Sequence, residues 1–255
     1  MAIAPFRFGS FCRACLFGVI LLAALGLSGC IQYDTGIRFV DEHHGTFSQR
    51  IRLDERLTEF DPASVQTWVT SVGERSHQLG GQMQVAPAAG TPKSLEVHIP
   101  FYSRRDLENK FNEFFQSSSF RTLQQDGPLR PPLTVPHLNV DLERNVILAQ
   151  QYRLVYDLDV RSLQTIASDQ SVFVNPTALL DLEFSLTVPR SITVAEPPPA
   201  LDASPQGEQH LGWTLHPNEA NHVEAVFWVP SPLGIGSLGI ALLVGVGGVI
   251  KRYRA

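Results

Sequence analysis

The sequence predicts an α+β fold: an antiparallel-rich sheet with two amphipathic helices, in the order β-β-α-β-β-α and then further strands, followed by a C-terminal transmembrane helix. Three observations carry this. Apolar residues alternate with period two through most of the middle of the chain, the spacing of half-buried strands. Two stretches instead repeat apolar residues every three or four positions behind N-capping residues, as helices that cover a sheet do. Leu233 to Ile250 carries no charge, and at about 1.5 Å per residue that run is long enough to cross a hydrocarbon core.

Composition narrows the class. The 255 residues allow one or two domains with a sizeable core. With 44% hydrophobic and 18% charged residues, a chain disordered throughout is excluded. Apolar runs of spanning length occur only at the two ends, which excludes a polytopic membrane protein. Three cysteines exclude a disulfide scaffold and a paired CxxC zinc module.

Residues 1–29 are expected to be a signal peptide. Arg7 and Arg13 give a positive start, and Ala14 to Leu27 is uncharged. The closing Leu27-Ser28-Gly29-Cys30 resembles the bacterial lipobox, in which the cysteine is acylated and becomes the new N-terminus. Cys30 is therefore the expected lipidation site. Cys12 and Cys15 would leave with the signal, so their CxxC spacing would carry no chemistry in the mature chain.

Residues 30–229 are expected to form one extracytoplasmic α+β domain. Ile31, Tyr33, Ile37 and Phe39, then Phe47, Ile51 and Leu53, make a hairpin around Asp41-Glu42-His43-His44-Gly45. Asp61-Pro62 opens a helix, with Val65, Trp68, Val69, Val72, Ser76 and Leu79 on one face and Gly80 as a left-handed cap. Met83 and Val85, then Leu95, Val97, Ile99 and Phe101, form a second hairpin. Ser103 and Asp106 make a capping box before a stripe of Leu107, Phe111, Phe114 and Phe115.

The stretch 125–136 breaks the pattern with four prolines and a glycine. Beyond it strands are expected over 138–142, over a long run from Val146 to Leu158, over 172–174 and over 180–188. Residues 195–207 read as a proline-rich flexible excursion. Leu211, Trp213 and Leu215 pair with the strand from Val223 to Val229.

Residues 233–250 are expected to span the membrane, with 251–255 as a basic cytoplasmic tail. Lys251, Arg252 and Arg254 stay inside by the positive-inside rule, and Phe227, Trp228 and Tyr253 read as interfacial aromatics. Ser237, Ala241 and Gly245 recur every four residues, a stripe against which another helix could pack. Small residues are also common in such helices for no special reason.

All 25 acidic residues lie between the two ends. Setting aside Arg7, Arg13, Lys251, Arg252 and Arg254 leaves 15 of the 20 bases, so the body carries a net charge of −10. That argues against nucleic acid as a partner, which needs a basic face. It also argues against flat electrostatic binding to anionic lipid.

Several segments together resemble a known family. They are Ile31-Gln32-Tyr33-Asp34-Thr35-Gly36, His43-His44-Gly45, the run from Val155 to Leu163, and above all Asn221 to Gly236 through Phe227-Trp228-Val229-Pro230-Ser231-Pro232. The family is an uncharacterised group of cyanobacterial membrane-anchored lipoproteins, labelled domain of unknown function 3153. The resemblance implies a plasma or thylakoid membrane location and brings no activity or site residues. The layout also resembles, at fold level, the mycobacterial lipoprotein LppM, whose domain is similar to lipid-binding folds; fold does not fix function.

No Gly-x-Ser-x-Gly, His-Glu-x-x-His, Walker loop or dinucleotide fingerprint is present. No enzyme activity, cofactor or metal is expected. The Asp41–His44 cluster reads as a polar turn, and His216 and His222 as turn histidines that could meet across a hairpin. Two functions compete. One is a non-enzymatic membrane-tethered protein of the periplasmic or lumenal face, an interaction or assembly factor for a membrane complex. The other is a lipid- or pigment-binding protein whose pocket between helices and sheet is lined by Trp68, Phe111, Phe114 and Phe115. An enclosed apolar cavity would favour the second; a solid core with an exposed apolar patch would favour the first.

Overall fold

The computed structural model describes residues 31–53, 62–88, 91–116, 135–161, 180–189, 192–197, 200–203, 208–217 and 219–254. Strands β1 (Ile31–Phe39) and β2 (Gly45–Leu53) are followed by α1 (Pro62–Gln78). Then come β3 (Gln82–Ala88), β4 (Thr91–Phe101) and α2 (Arg104–Gln116). Strands β5 (His137–Val146), β6 (Ala149–Asp159), β7 (Leu180–Val188), β8 (Ile192–Glu196), β9 (Ala200–Ala203), β10 (Gln209–Leu215) and β11 (Ala220–Pro230) lead into α3 (Pro232–Arg254). The fold is α+β, and β-β-α-β-β-α is the order of its first half. The expected signal and lipidation site at residues 1–30 and the expected strand at 172–174 lie outside the described residues.

The strands make two sheets rather than one. The larger runs β3-β4-β2-β1-β7-β10-β9 and the smaller β5-β6-β11-β8. Among the described residues every pairing is antiparallel except β1 with β7. Helix α1 rests on β3 and β4, and α2 on β4 and β5. The smaller sheet covers the rest of the inner face, so one core fills the space between sheets and helices. Tyr156 of β6 stacks on Phe184 of β7 at 4.3 Å between centroids. Phe39 of β1 meets Phe227 of β11 at 5.1 Å.

The sequence explains the elements. In β4, Leu95, Val97, Ile99 and Phe101 are all buried, as period-two alternation requires. In α2, Leu107, Phe111, Phe114 and Phe115 are buried against the sheet, each worth about 1.5–3 kcal/mol by area. Its N-cap is a relayed capping box: Ser103 Oγ accepts from Asp106 N at 3.1 Å, and Asp106 Oδ2 accepts from Tyr102 N at 3.0 Å. Helix α1 begins at Pro62 and runs to Gln78, and Gly80, with a φ of 75°, is its left-handed cap.

Four expectations need correction. The long strand from Val146 is broken: β5 and β6 form a hairpin whose two-residue tip is Ile147-Leu148, and Val146, Ile147 and Leu148 are exposed. Alternation alone does not reveal a turn inside an apolar run. The stretch 195–207 is not simply a loop, since β8 and β9 fall within or against it. Both lie at sheet edges and neither contains a proline; Pro197 to Pro199 fall between them. Strands β10 and β11 do not pair with each other: β10 joins β7 and β9, while β11 joins β6 and β8. Their short link crosses between sheets, held by Asn221, whose side chain bonds both His216 N and His216 O. Finally, Phe227 is fully buried in the core and is no interfacial aromatic.

Candidate functional site

The body and the apolar helix meet at one polar joint. Strand β11 ends at Pro230, Ser231 is buried, and Pro232 starts α3. Proline at the first helical position behind a serine N-cap is the favoured start of a helix. Ser231 Oγ accepts from Gly234 N at 3.1 Å and donates to Glu42 Oε1 at 2.7 Å. Ser231 N donates to Leu148 O at 2.9 Å, and Glu42 N to Pro230 O at 3.3 Å. The first turn of α3 is thus tied to both the β1–β2 turn and the β5–β6 tip. Gly234 makes the contact close: a Cβ there would sit 1.4 Å from Ile147 O.

The Asp41–His44 cluster serves this joint. Asp41 Oδ1 accepts from His43 N at 2.7 Å and lies 3.0 Å from His44 Nδ1, which folds the turn. That turn directs Glu42 inward, where its side chain is 4% exposed and 3.2 Å from His43 Nε2. Glu42 Oε2 is buried with no hydrogen-bond partner. Tyr152 stands near this end, its hydroxyl donating to Gln150 at 2.7 Å. Burial, aided by the nearby Glu42 charge, pushes its pKa up to about 12, so it is a neutral donor. Among the described residues no three His, Cys, Asp or Glu side chains group as metal ligands.

Two concavities lie elsewhere. One is a small apolar cavity of about 40 Å³. Tyr33, Phe115, Val135, Tyr156, Leu182 and Leu215 line it, and burial pushes both tyrosine hydroxyls above the usual phenol range. Pockets for drug-sized ligands hold about 300–1,000 Å³. The other is a polar trough of about 320 Å³ on the outer face of the larger sheet. Gly36 and Ser185 floor it, and Asp34, Arg50, Glu183 and His210 rim it. Arg50 pairs with Glu96 at 2.9 Å. Desolvation raises the Asp34 pKa above the carboxylate norm.

A family model described as a protein of unknown function, DUF3153, matches residues 35–255. The chain belongs to the DUF3153 family. No curated protein matches this DUF3153 chain. It is similar to the folded domain of Mycobacterium tuberculosis LppM, solved by NMR, at 12% identity over 80% of this chain and 93% of that one, with a TM-score of 0.46.

The sequence-predicted site residues of this DUF3153 protein fall in separate places. Phe111, Phe114 and Phe115 pack with Phe47 in the core, and Trp68 packs half-buried against it. Of these, Phe115 alone lines the small cavity. Ser237, Ala241 and Gly245 lie on the bare part of α3, with the Ser237 hydroxyl turned back to Gly234 O at 2.9 Å. Cys30 lies outside the described residues. His222 pairs with Asp157 at 2.6 Å across the β6–β11 ladder rather than with His216. Sequence reasoning missed Glu42 and Ser231 as partners. The Ser-Pro at the helix start was a readable capping signal; the partner 189 residues away was not.

Proposed function

We propose that this is a non-enzymatic, membrane-tethered extracytoplasmic protein that serves as an interaction or assembly factor for a membrane complex. Cys30 is its lipid anchor and α3 its transmembrane helix. The body lies on the periplasmic or lumenal side of a plasma or thylakoid membrane, and Lys251, Arg252 and Arg254 stay in the cytoplasm. The observation that carries this reading is the joint at Ser231. A flexible linker would let the body swing or reach, whereas hydrogen bonds to Glu42 and Leu148 hold it to the first turn of the helix. A body held this way suits a fixed platform rather than a shuttle. The filled core supports the same reading.

The second reading, a lipid- or pigment-binding protein, draws on the apolar lining of the small cavity at Phe115, Tyr156 and Leu182. Native mass spectrometry of the full-length protein, extracted from its own membrane in mild detergent, separates the two. A co-purifying polypeptide is the expected result. A stoichiometric lipid- or pigment-sized mass beyond acylated Cys30 would replace the first reading by the second.

A further inference from the structure

We infer that the tip of the β5–β6 hairpin, Val146, Ile147 and Leu148, is a second membrane contact that inserts into the leaflet α3 enters, clamping the body against lipid. This rests on the proposal that α3 spans the membrane.

The tip is chemically out of place for water. A two-residue hairpin turn favours Asn-Gly or Asp-Gly, and here it is Ile147-Leu148. Val146, Ile147 and Leu148 are 49%, 70% and 46% exposed. Contiguous exposed apolar groups mark a surface that meets another apolar phase.

Its position identifies that phase. Leu148 O accepts from Ser231 N, the residue that caps α3, and Ile147 O touches Gly234. The tip therefore lies level with the first turn of the helix, where Leu233 is itself exposed. Val40 and Tyr102 are exposed near the same end. Val40 N is tied to His44 O in the turn that bonds Pro230, and the Tyr102 ring lies 6.2 Å from His44.

Charge agrees. From Arg144 to Tyr152 the chain holds one base and no acid, with exposed Glu143 just before it, so the tip itself carries no negative charge into the bilayer. Arg144 is exposed, two residues before the tip, placed to meet lipid phosphates while the apolar residues pass below them. The occupant is thus the bilayer rather than a protein partner.

The test places p-benzoylphenylalanine at Ile147, Val244 or Glu74, one site at a time, in the full-length protein. Each variant is reconstituted in vesicles of phosphatidylcholine and phosphatidylglycerol, irradiated, and weighed. Val244 lies mid-helix, and Glu74 is exposed on α1, over the β3–β4 edge of the larger sheet. Lipid adducts at Ile147 and Val244 with none at Glu74 are expected. Lipid adduct at Val244 with no adduct or a protein adduct at Ile147 overturns the hairpin contact and leaves the spanning helix standing. No lipid adduct at Val244 overturns the spanning helix, and the inference with it.

Discussion

Ser231 Oγ donates a 2.7 Å hydrogen bond to Glu42 Oε1 across 189 residues of sequence. Both side chains are buried, and the same hydroxyl caps α3 through Gly234 N. Ser231→Ala removes two things at once. Losing an N-cap costs about 1 kcal/mol, and stranding a buried acceptor costs about 1–3 kcal/mol more. Thermal unfolding should therefore show Ser231→Ala destabilised by about 2–4 kcal/mol. Glu42→Gln keeps an acceptor for the serine and should lose less than half as much. Equal losses in the two variants would mean the bond is not what joins the body to the helix.

Gly234 makes a sharper contrast. In a helix interior Gly→Ala normally gains about 1 kcal/mol. At Gly234 the new methyl would fall on Ile147 O, a backbone atom that cannot move aside without shifting the hairpin or the helix. Overpacking of this kind costs about 1–3 kcal/mol. Gly236 and Gly239 have open space around their Cβ positions. Gly234→Ala should lower the unfolding temperature of the body, while Gly236→Ala and Gly239→Ala leave it unchanged or raise it. Limited proteolysis at the β5–β6 tip should quicken only in the first.

Arg75 ties the two body helices together. It is buried, its Nη1 donates to Phe114 O at 2.9 Å, and its guanidinium lies 5.5 Å from the Phe114 ring centroid. Desolvation lowers its pKa, though a guanidinium stays charged throughout the ordinary range. A hydrogen bond from a charged donor contributes about 1.5–3 kcal/mol. Arg75→Ala should lower the unfolding free energy measured in urea by that much, and Arg75→Met, which keeps the apolar stem, should recover part of it. Full recovery with Met would assign the whole effect to packing.

How much of this was readable from the chain follows from the range of each interaction. Period and capping are local, so Leu95 to Phe101, the stripe Leu107 to Phe115 and Gly80 were all legible. Pairing is not local. Leu211–Leu215 and Val223–Val229 look like neighbours in a hairpin, yet they lie in different sheets, because either sheet buries the same alternating face. Val146 and Leu148 fit one strand pattern by residue type, yet Val146 ends β5 and Leu148 sits in the turn, and no composition rule distinguishes a buried apolar residue from an exposed one. In the sequence Glu42 is one polar residue among four in a turn. Its burial depends on the arrival of Ser231 from the far end of the chain, which no spacing rule contains.

The outer trough holds two carboxylates with opposite shifts, which gives a prediction with a definite sign. Glu96 is held below its ordinary value of 4.5, chiefly by the hydrogen bond from Arg50, with a smaller pull from His98. A depressed folded-state pKa gives stability that is present above 4.5 and is lost as pH falls through the lower folded value. Asp34 is raised above its ordinary 3.8, chiefly by desolvation and against the pull of Arg52 and Arg50. Its contribution is fully present below 3.8 and is lost as pH rises through the folded value. Glu96→Gln should therefore destabilise at neutral pH, by less than about 1 kcal/mol because the pair is partly exposed, and the deficit should vanish in acid. Asp34→Asn should instead be neutral in acid and stabilising at neutral pH. Unfolding free energies of both variants between pH 3 and 7, plotted as differences from the parent chain, should diverge in opposite directions as pH rises. Parallel curves would show that the two carboxylates do not experience the trough as the geometry describes it.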